Sequence, residues 1–487
     1  MNDPAALIAL ARSLGSAKVL CVGDVVLDHY LHGVVERISP EAPIPILSVE
    51  REDAMLGGAG NVMRNLASLG AVVRCVTVVG EDAAGQEVGR LLRDIGVGPR
   101  HLIKDSGRRT STKARYLASG QQMLRADFET VAPLEPKIRK RLVAAASKAM
   151  EWCSVAVLSD YGKGTLADGV AGELIALAKR AGKTVIVDPK GDDFGRYRGA
   201  TLLTPNRREL GDAIRMATEN EQEVVAAARH LLDAAGVDAV LATRGADGMV
   251  LVGADGQISH LKARAREVFD VSGAGDTVVA TVAAALGAGA ELARAAALAN
   301  VAAGIVVGKV GTAAVGAEEV VAALHHQDLA NAEAKVLGRQ TALGRIEKWR
   351  RNGLRIGFTN GCFDLLHPGH VALLAQARAA CDRLVVGLNS DASVTRLKGA
   401  SRPLQTEAAR ATVLASLASV DLVVIYPDDT PRKLIFDVRP DVLVKGADWA
   451  LEDVVGAKEV RAGGGRVVLV NLKPGHSTTA TIARMAK

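Results

Sequence analysis

The chain has 487 residues, which is too long for one ordinary hydrophobic core and predicts two or three domains. Apolar residues make up 49% and charged residues 23% of the chain, as in ordinary soluble globular proteins. The net charge of +6 is dispersed among acidic residues, and aromatic residues are only 3%. We therefore expect anionic small molecules as ligands, and neither nucleic acid nor a membrane as a partner.

The cysteine pattern favours a reducing compartment. No two cysteines have Cys-x-x-Cys spacing, which argues against a zinc site or a disulfide framework. The N-terminus lacks the pattern of a secretory signal, and the longest apolar stretch, 278–286, is far short of the ~20 residues that cross a bilayer. We expect a cytoplasmic location.

Strand and helix signals alternate over the first two thirds of the chain. Short apolar strands are predicted at 19–22, 44–49, 72–79, 155–158, 184–187, 201–203 and 238–242. Helices are predicted between or after them at 62–69, 166–180, 221–235, 276–286 and 292–307. This alternation predicts a mainly parallel sheet with helices on both faces, which is a three-layer α/β domain.

A polar, aperiodic stretch separates this series from a second one. We predict a first domain over 1–325, a linker over 326–340 and a second domain over 341–487. In the second domain strands are predicted at 355–358, 384–388, 421–425, 442–444 and 466–470, with helices at 341–351, 370–380 and 405–418. This pattern indicates a smaller, doubly wound Rossmann-like domain.

The first chemical motif is Asp-Val-Ser-Gly-Ala-Gly-Asp at 270–276. Gly273, Ala274 and Gly275 open a helix, so small residues and the positive helix end can hold a phosphate. Asp276 follows where it can accept the proton of an attacking hydroxyl group. A Gly-rich turn alone would be weak evidence, but further motifs accompany it.

Residues 1 to about 325 resemble the ribokinase-like carbohydrate kinases. The resemblance rests on Gly57-Gly58-Ala59-Gly60-Asn61, on Gly-Asp-Val-Val-Leu-Asp at 23–28, on Thr-Pro-Asn-Arg-Arg-Glu at 204–209 and on Thr243-Arg244-Gly245. It implies a sugar site that includes Asp24, Asp28, Gly57, Gly58 and Asn61. It implies an ATP site that includes Asn206, Glu209, Thr243, Gly245, Gly273, Ala274 and Gly275.

Three cationic residues are further candidates for the sugar site. Lys113 and Arg115 lie in a β-prone segment that could cover the sugar or could be a solvated strand face. Lys190, in Asp188-Pro189-Lys190-Gly191, could bind a sugar phosphate or could be an exposed loop lysine.

The second chemical motif is Thr-Asn-Gly-Cys-Phe-Asp-Leu-Leu-His-Pro-Gly-His at 359–370. His367 and His370 stand at the start of a predicted helix, where both imidazoles can donate hydrogen bonds to phosphate oxygens. The stretch resembles the cytidylyltransferase-like nucleotidyltransferases. That resemblance implies nucleotide contacts from Thr359, Asn360, Phe363, Asp364, Lys398, Ser477 and Thr478. Ser477 and Thr478 could equally cap a final helix.

The order of the two domains resembles the family of bifunctional enzymes that activate heptose for bacterial lipopolysaccharide. The similarity includes the segments 37–43, 188–191, 197–206 and 443–446. It implies phosphorylation of D-glycero-β-D-manno-heptose 7-phosphate at C1, and adenylyl transfer from ATP to the heptose 1-phosphate to give ADP-heptose. We expect ATP and sugar phosphates as partners, Mg²⁺ carried with ATP rather than in a dedicated metal site, and a homodimer through the kinase domain.

Three alternatives stay open from the residues alone. The same two steps could activate a different sugar. A riboflavin kinase/FAD synthetase also pairs two such activities, but its domain order and kinase motifs differ. A regulator with decayed sites would have lost Asp276 or the two histidines, and all three are present.

Overall fold

The computed structural model of the chain describes residues 4–263, 270–309, 311–447 and 450–470, with only the backbone of 326–332. The chain divides into two compact units, Met1–Leu324 and His325–Lys487. No helix in the described ranges is long and apolar enough to span a bilayer.

The first unit contains thirteen described strands in two sheets. They are β1 (Lys18–Gly23), β2 (Val25–Ile38), β3 (Pro45–Gly58), β4 (Val72–Gly80), β5 (Leu102–Asp105), β6 (Thr112–Ala118), β7 (Gln121–Phe128), β8 (Val155–Ser159), β9 (Thr184–Asp188), β10 (Leu202–Leu203), β11 (Ala239–Thr243), β12 (Met249–Gly253) and β13 (Ile258–Leu261). Nine of them form the main sheet in the order β13-β12-β11-β10-β9-β8-β1-β4-β5. Neighbouring strands of this sheet run parallel except for the pairs β11–β12 and β12–β13, so β12 is reversed relative to the other described strands.

Ten helices accompany these strands in the described part of the unit. They are α1 (Pro4–Ser13), α2 (Ala59–Ser68), α3 (Ala83–Asp94), α4 (Pro136–Met150), α5 (Val170–Arg180), α6 (Arg207–Ile214), α7 (Glu221–Ala235), α8 (Ala274–Gly287), α9 (Leu292–Val306) and α10 (Ala317–Glu333). Both α6 and α7 begin with a capping box, in which an Asn at the N-cap and a Glu three residues later satisfy each other's backbone N–H groups.

Alternate residues of each strand supply two separate cores. On β1, Val19 and Cys21 pack into a core with α2, α8 and α9, whereas Leu20 and Val22 pack into a core with α4, α5 and α7. Since successive side chains on a strand point to opposite faces, the sheet is covered by helices on both sides. The predicted three-layer α/β fold is thus confirmed.

The remaining strands form a small separate sheet in the order β3-β2-β6-β7. Strands β2 and β6 run parallel, and the other two pairs are antiparallel. Large apolar side chains remain exposed on this sheet and beside it, namely those of Ile38, Ile44, Val49, Met123, Leu124 and Phe128. The sheet carries the residues 112–118, which were expected to be β-prone.

The second unit is a five-stranded parallel sheet with helices. Its strands are β14 (Ile356–Gly361), β15 (Arg383–Asn389), β16 (Leu422–Tyr426), β17 (Val442–Gly446) and β18 (Arg466–Val470). Its helices from α11 onward are α11 (Arg339–Arg351), α12 (Pro368–Ala379), α13 (Asp391–Lys398), α14 (Glu407–Ala415), α15 (Arg432–Val438) and α16 (Ala457–Ala462). The sheet order is β16-β15-β14-β17-β18, so the chain reverses its direction of winding at β14. Ligands bind at such switch points in open α/β sheets.

One predicted strand was too short, and two helices of the structure were not predicted. The strand predicted at 44–49 is the start of the 14-residue β3, and α3 and α4 were not predicted. Helix α3 contains Gly85 and Gly89, and its pattern alone did not separate it from a loop. These helices form because packing against the sheet outweighs weak local propensity.

Residues of the predicted linker contact the second unit. Helix α10 continues to Glu333, and the chain then pairs with β16 through hydrogen bonds from Val423 N to Lys335 O (2.8 Å) and from Leu337 N to Val423 O (3.1 Å). The side chains of Val336 and Leu337 pack against the core of the same unit. We therefore propose that the second domain begins near residue 334.

Fragments 1–325 and 334–487 should each fold when produced alone, because each contains its own sheet and core. Fragment 340–487 should be less stable than 334–487, by about 2 kcal/mol, because it lacks the two backbone hydrogen bonds to β16 and the apolar contacts beside them. Urea unfolding followed by circular dichroism measures both. Equal stability of the two C-terminal fragments would show that residues 334–339 do not belong to the domain.

Candidate active sites

The predicted kinase site lies at the carboxyl ends of the strands in the main sheet. Asp276 is in the first turn of α8, and its side chain is buried. Its Oδ2 accepts a hydrogen bond from Asn61 Nδ2 at 2.6 Å, and its Oδ1 accepts one from the Tyr161 hydroxyl at 2.7 Å. Burial raises the pKa of Asp276 to about 6, although both hydrogen bonds act to lower it.

Glycines at the starts of α2 and α8 allow close packing around the site. Gly273 caps α8 with φ +79°, and a Cβ atom there would lie 2.7 Å from Asn61 Nδ2. Gly58 precedes α2 with φ +56°, and a Cβ atom there would lie 2.5 Å from the Asp24 carbonyl oxygen. Only glycine fits both the backbone conformation and the space at these positions.

A cleft beside Asp276 contains most of the predicted ATP residues. It is lined by Asp160, Tyr161, Asp188, Pro189, Lys190, Thr204, Asn206, Glu209, Thr243, Gly273, Gly275 and Asp276. Asn206 caps α6 and forms an isolated bridge with Thr243, so the ends of two segments meet there. Gly245, with φ +60°, lies in the turn that follows β11. Ala274 is the first residue of α8, whose N–H groups face this end of the cleft.

Lys190 lies on the ATP side of the cleft rather than with the sugar residues. Its Nζ donates to Glu209 Oε1 at 2.8 Å, while Glu209 Oε2 accepts from Asn206 N. The strand order explains this position, because β9 and β10 are neighbours and Lys190 follows β9 directly. The structure thus places Lys190 beside Glu209 and Asn206, two residues of the expected ATP site, and its role toward a sugar phosphate stays a prediction.

The predicted sugar residues on the small sheet form a charged pair. Arg115 NH1 donates to Asp28 Oδ1 at 2.6 Å, and its guanidinium stacks 5.0 Å from the centre of the Tyr30 ring. Lys113 pairs in register with Asp28 on the neighbouring strand. A Cβ atom on Gly57 would lie 2.1 Å from Asp28 Oδ2, so this glycine makes room for the carboxylate.

Asp24 has a different position from the one expected of a sugar ligand. It is buried, and its two carboxylate oxygens accept three backbone hydrogen bonds, from Tyr161 N, Lys163 N and Thr165 N, at 2.9–3.0 Å. The carboxylate therefore organises the loop after β8. Three satisfied N–H donors leave little capacity for sugar hydroxyl groups.

The predicted nucleotidyltransferase site lies at the switch point of the second sheet. His367 is the N-cap of α12, and its ring stacks on that of His370 with centroids 3.8 Å apart. The Phe363 ring meets His370 edge to face at 5.1 Å. Burial, followed by the neighbouring His367, lowers the pKa of His370 to about 4, so this imidazole is neutral at pH 7 in the free domain.

Two side-chain oxygens at the end of β14 are buried and lack a hydrogen-bond partner. Thr359 Oγ1 and Asn360 Oδ1 are buried without a hydrogen-bond partner. Asn360 Nδ2 donates to the Tyr426 hydroxyl at 3.2 Å, which holds the amide of this side chain in one orientation. Buried polar atoms in a native protein normally have partners, so this geometry indicates that a ligand supplies them.

The other residues predicted to contact the nucleotide differ in their surroundings. Asp364 is buried, and its carboxylate pairs with Arg402 and accepts from Leu404 N and Gln405 N, so it holds the loop 402–405. Lys398 is exposed in the last turn of α13, and its charge acts on the Cys362 thiol in the motif loop. Ser477 and Thr478 lie outside the described residues.

Sequence reasoning missed several residues of both sites. In the kinase site they are Tyr161, Asp160 and Asp188, which all follow or end a strand of the main sheet. In the second site Arg410 is buried and donates to the carbonyl oxygens of Cys362 and Asn389 and to the Asp391 carboxylate. The strand ends could have been recognised from the sequence, but the position of Arg410 on α14 gave no local signal.

Comparison with known protein families agrees with this division. The pfkB family carbohydrate kinase model matches residues 16–319, and the Cytidylyltransferase-like model matches residues 358–484. The structure of Arabidopsis thaliana ribokinase complexed with ribose and ATP is 21% identical, with a TM-score of 0.52, over 63% of this chain and 98% of that chain. Phosphofructokinase-2 from Escherichia coli gives the same TM-score at 21% identity, over 63% of this chain and 99% of that chain. These structures show the fold of the first unit.

Curated relatives cover the whole chain. A protein of Paramagnetospirillum magneticum called Bifunctional protein HldE is 58% identical over 485 residues, with 100% of this chain and 99% of the relative covered. The proteins of the same name from Rhodospirillum rubrum and Caulobacter vibrioides are 59% and 52% identical, again over 100% of this chain and over 98% and 100% of the relatives.

Fold and sites together define a bifunctional enzyme, a carbohydrate kinase followed by a nucleotidyltransferase. The chain belongs to the family of the bifunctional HldE proteins. The alternatives of a decayed regulator and of a riboflavin kinase/FAD synthetase are thereby excluded.

Proposed function

We propose that this enzyme carries out two steps in the synthesis of ADP-heptose, a precursor of the lipopolysaccharide core. The first domain phosphorylates D-glycero-β-D-manno-heptose 7-phosphate at C1 with ATP. After another enzyme removes the 7-phosphate, the second domain transfers the adenylyl group of ATP to D-glycero-β-D-manno-heptose 1-phosphate and releases pyrophosphate. The observation that carries this proposal is the similarity to the HldE proteins over the full length of the chain.

In the kinase step Asp276 accepts the proton of the sugar hydroxyl at C1. Its pKa of about 6 leaves the carboxylate ionised at neutral pH but basic enough to take part in proton transfer. The N–H groups at the start of α8 lie beside it and would bind the γ-phosphate, and Gly273 and Gly275 keep that approach open. The hydroxyl, the base and the phosphate then meet at one helix end.

The nucleotide side of the cleft suits an ATP complex with Mg²⁺. Burial and the charges of Asp276 and Glu209 raise the pKa of Asp188 well above its usual range. A cation in this acidic cleft would relieve that repulsion, and Mg²⁺ would neutralise charge on the phosphates. In the described residues no group of three or more His, Cys, Asp or Glu is arranged to hold a metal alone. We propose that the cation takes its other ligands from ATP.

The sugar phosphate is proposed to bind on the side of the small sheet. Arg115 and Lys113 on β6 and Arg64 on α2 supply positive charge there. Arg64 is half-buried, Asp28 and Asp276 are among the charges that act on it, and its Nε atom has no hydrogen-bond partner. Guanidinium groups bind phosphate through paired hydrogen bonds, so these side chains fit a substrate that already carries a phosphate.

In the adenylyl transfer step, the oxygen of the sugar 1-phosphate attacks the α-phosphorus of ATP. We propose that His367 and His370, whose rings stack at the N-terminus of α12, donate hydrogen bonds to phosphate oxygens as charge develops on them. Thr359 and Asn360 at the end of β14 offer further buried polar atoms to the nucleotide. No protein nucleophile is needed.

We also propose a homodimer through the small sheet and a cytoplasmic location. The exposed apolar side chains of this sheet form a surface of the kind that a second copy covers.

The cysteines are free thiols, four of them buried, and the substrate ATP is intracellular, which fits a reducing compartment.

The Asp276→Asn variant should lose sugar phosphorylation and keep adenylyl transfer. Asparagine preserves the size of the side chain but cannot accept the proton, so kcat of the kinase step should fall by about 10²–10⁴-fold. Release of ADP measures the first step, and release of pyrophosphate measures the second. Near-normal kinase turnover would remove Asp276 from the mechanism.

The His370→Ala variant should show the opposite pattern. One well-placed donor to a transition-state oxygen contributes roughly 3–4 kcal/mol, so adenylyl transfer should fall by about 10²–10³-fold while kinase activity persists. If both activities decreased equally, misfolding would be the better explanation.

The kinase should prefer heptose 7-phosphate over unphosphorylated heptose and over ribose or fructose 6-phosphate. The Lys190→Ala variant should raise the KM for ATP several-fold and leave the KM for the sugar phosphate near normal, because Lys190 lies with Glu209 and Asn206. The Arg115→Ala variant, a matched change on the small sheet, should do the reverse. A higher kcat/KM for ribose or fructose 6-phosphate would contradict the heptose assignment.

The native mass in solution should be about twice 50.7 kDa. Leu124→Lys on β7 should favour the monomer, since a charge in an apolar interface is costly. Val413→Lys on α14, a change at another exposed position outside the small sheet, should not. Light scattering after gel filtration measures both, and a monomeric wild type would exclude the dimer.

A further inference from the structure

The loop that follows β8 contacts Asp276, the proposed catalytic base of the kinase site. Tyr161 is the second residue of this loop, and its hydroxyl donates to Asp276 Oδ1 at 2.7 Å. Asn61 Nδ2 binds the other carboxylate oxygen at 2.6 Å. The carboxylate is therefore held at both oxygens, and one of the two donors comes from a loop that no ATP or sugar motif predicted.

Two buried aspartates hold this loop in place. Asp24 accepts the backbone N–H groups of Tyr161, Lys163 and Thr165. Asp160 accepts from Gly162 N at 2.8 Å and from the side chains of Tyr197 at 2.8 Å and Arg196 at 2.9 Å. Together they fix the backbone on both sides of Tyr161.

We propose that Tyr161 is a positioning residue of the kinase reaction, which orients the Asp276 carboxylate and keeps it ionised at neutral pH. This proposal rests on the assignment of Asp276 as the base. A neutral hydroxyl donor stabilises the charged form of a buried carboxylate, and Asp24 and Asp160 act through the loop to place that donor.

The surrounding charges do not replace this hydrogen bond. Arg64 on α2 favours the ionised form of Asp276, whereas Asp28 on β2 disfavours it. Asp188 on β9 and the buried Cys21 on β1 also lie within its electrostatic reach, and Glu209 on α6 acts on Tyr161 itself. Since burial has the largest effect and raises the pKa of Asp276, loss of a donor should raise that pKa further.

The test is the pH profile of kinase kcat/KM for the full chain and its Tyr161→Phe variant. The acid limb of the variant should move to higher pH by about one to two units. Activity should fall by about two- to tenfold at pH 7 and recover largely by pH 9, because the base is ionised again there. ATP and the sugar phosphate titrate alike in every assay, so the difference between profiles reports the enzyme.

Controls separate this effect from a loss of structure. Tyr116→Phe on β6 should leave the profile unchanged, and adenylyl transfer by the same chains should stay normal in every variant. If Tyr161→Phe is unstable, 3-fluorotyrosine at position 161 keeps the shape and is a stronger donor, so it should move the acid limb to lower pH.

A Tyr161→Phe profile with an unchanged acid limb, whether activity is normal or uniformly reduced, would overturn the proposal. An unchanged limb with fluorotyrosine would do the same. If Asp276→Asn itself retained kinase activity, the assignment of the base would fail first, and the two failures are thus distinguishable.

Discussion

Both active sites depend on one constraint of parallel sheets, which is that all strands end at the same edge. Side chains that are far apart in the chain therefore meet there, beside the N-termini of the helices that follow. In the first domain Asp276 meets Asn61, 215 residues away, and Tyr161, 115 residues away. In the second domain β14 lies at the centre of the sheet, and the motif loop opens directly over the switch point.

Buried carboxylates organise the loops at these edges. Asp24, Asp160 and Asp364 each accept hydrogen bonds from backbone N–H groups of a loop. A charged acceptor binds N–H donors more strongly than a neutral one, and a buried carboxylate without donors would be unstable. Acidic residues in family motifs can therefore preserve the shape of a site without contacting a substrate.

The two sites differ in the charged groups that surround them. The kinase cleft gathers Asp188, Glu209 and Asp276, whose mutual repulsion raises the pKa of Asp188 and suits a cation bound to ATP. In the second site the nearest titratable pair is His367 and His370, whose proximity and burial keep His370 neutral. A base is needed to remove a hydroxyl proton in the first reaction. The sugar phosphate of the second reaction is already ionised, so donors are sufficient.

The sequence was enough to establish the two chemistries, their order and the fold classes, and it predicts Asp276, His367 and His370 as site residues. Short motifs at helix starts and the alternation of strands and helices are patterns of neighbouring residues, so they can be recognised without knowledge of the tertiary structure. Only the folded structure shows that Tyr161 donates to Asp276, that Asp24 accepts backbone N–H groups of a loop and that Lys190 pairs with Glu209. These contacts depend on which strands are neighbours, and strand order is set by the packing of the whole sheet rather than by any local pattern.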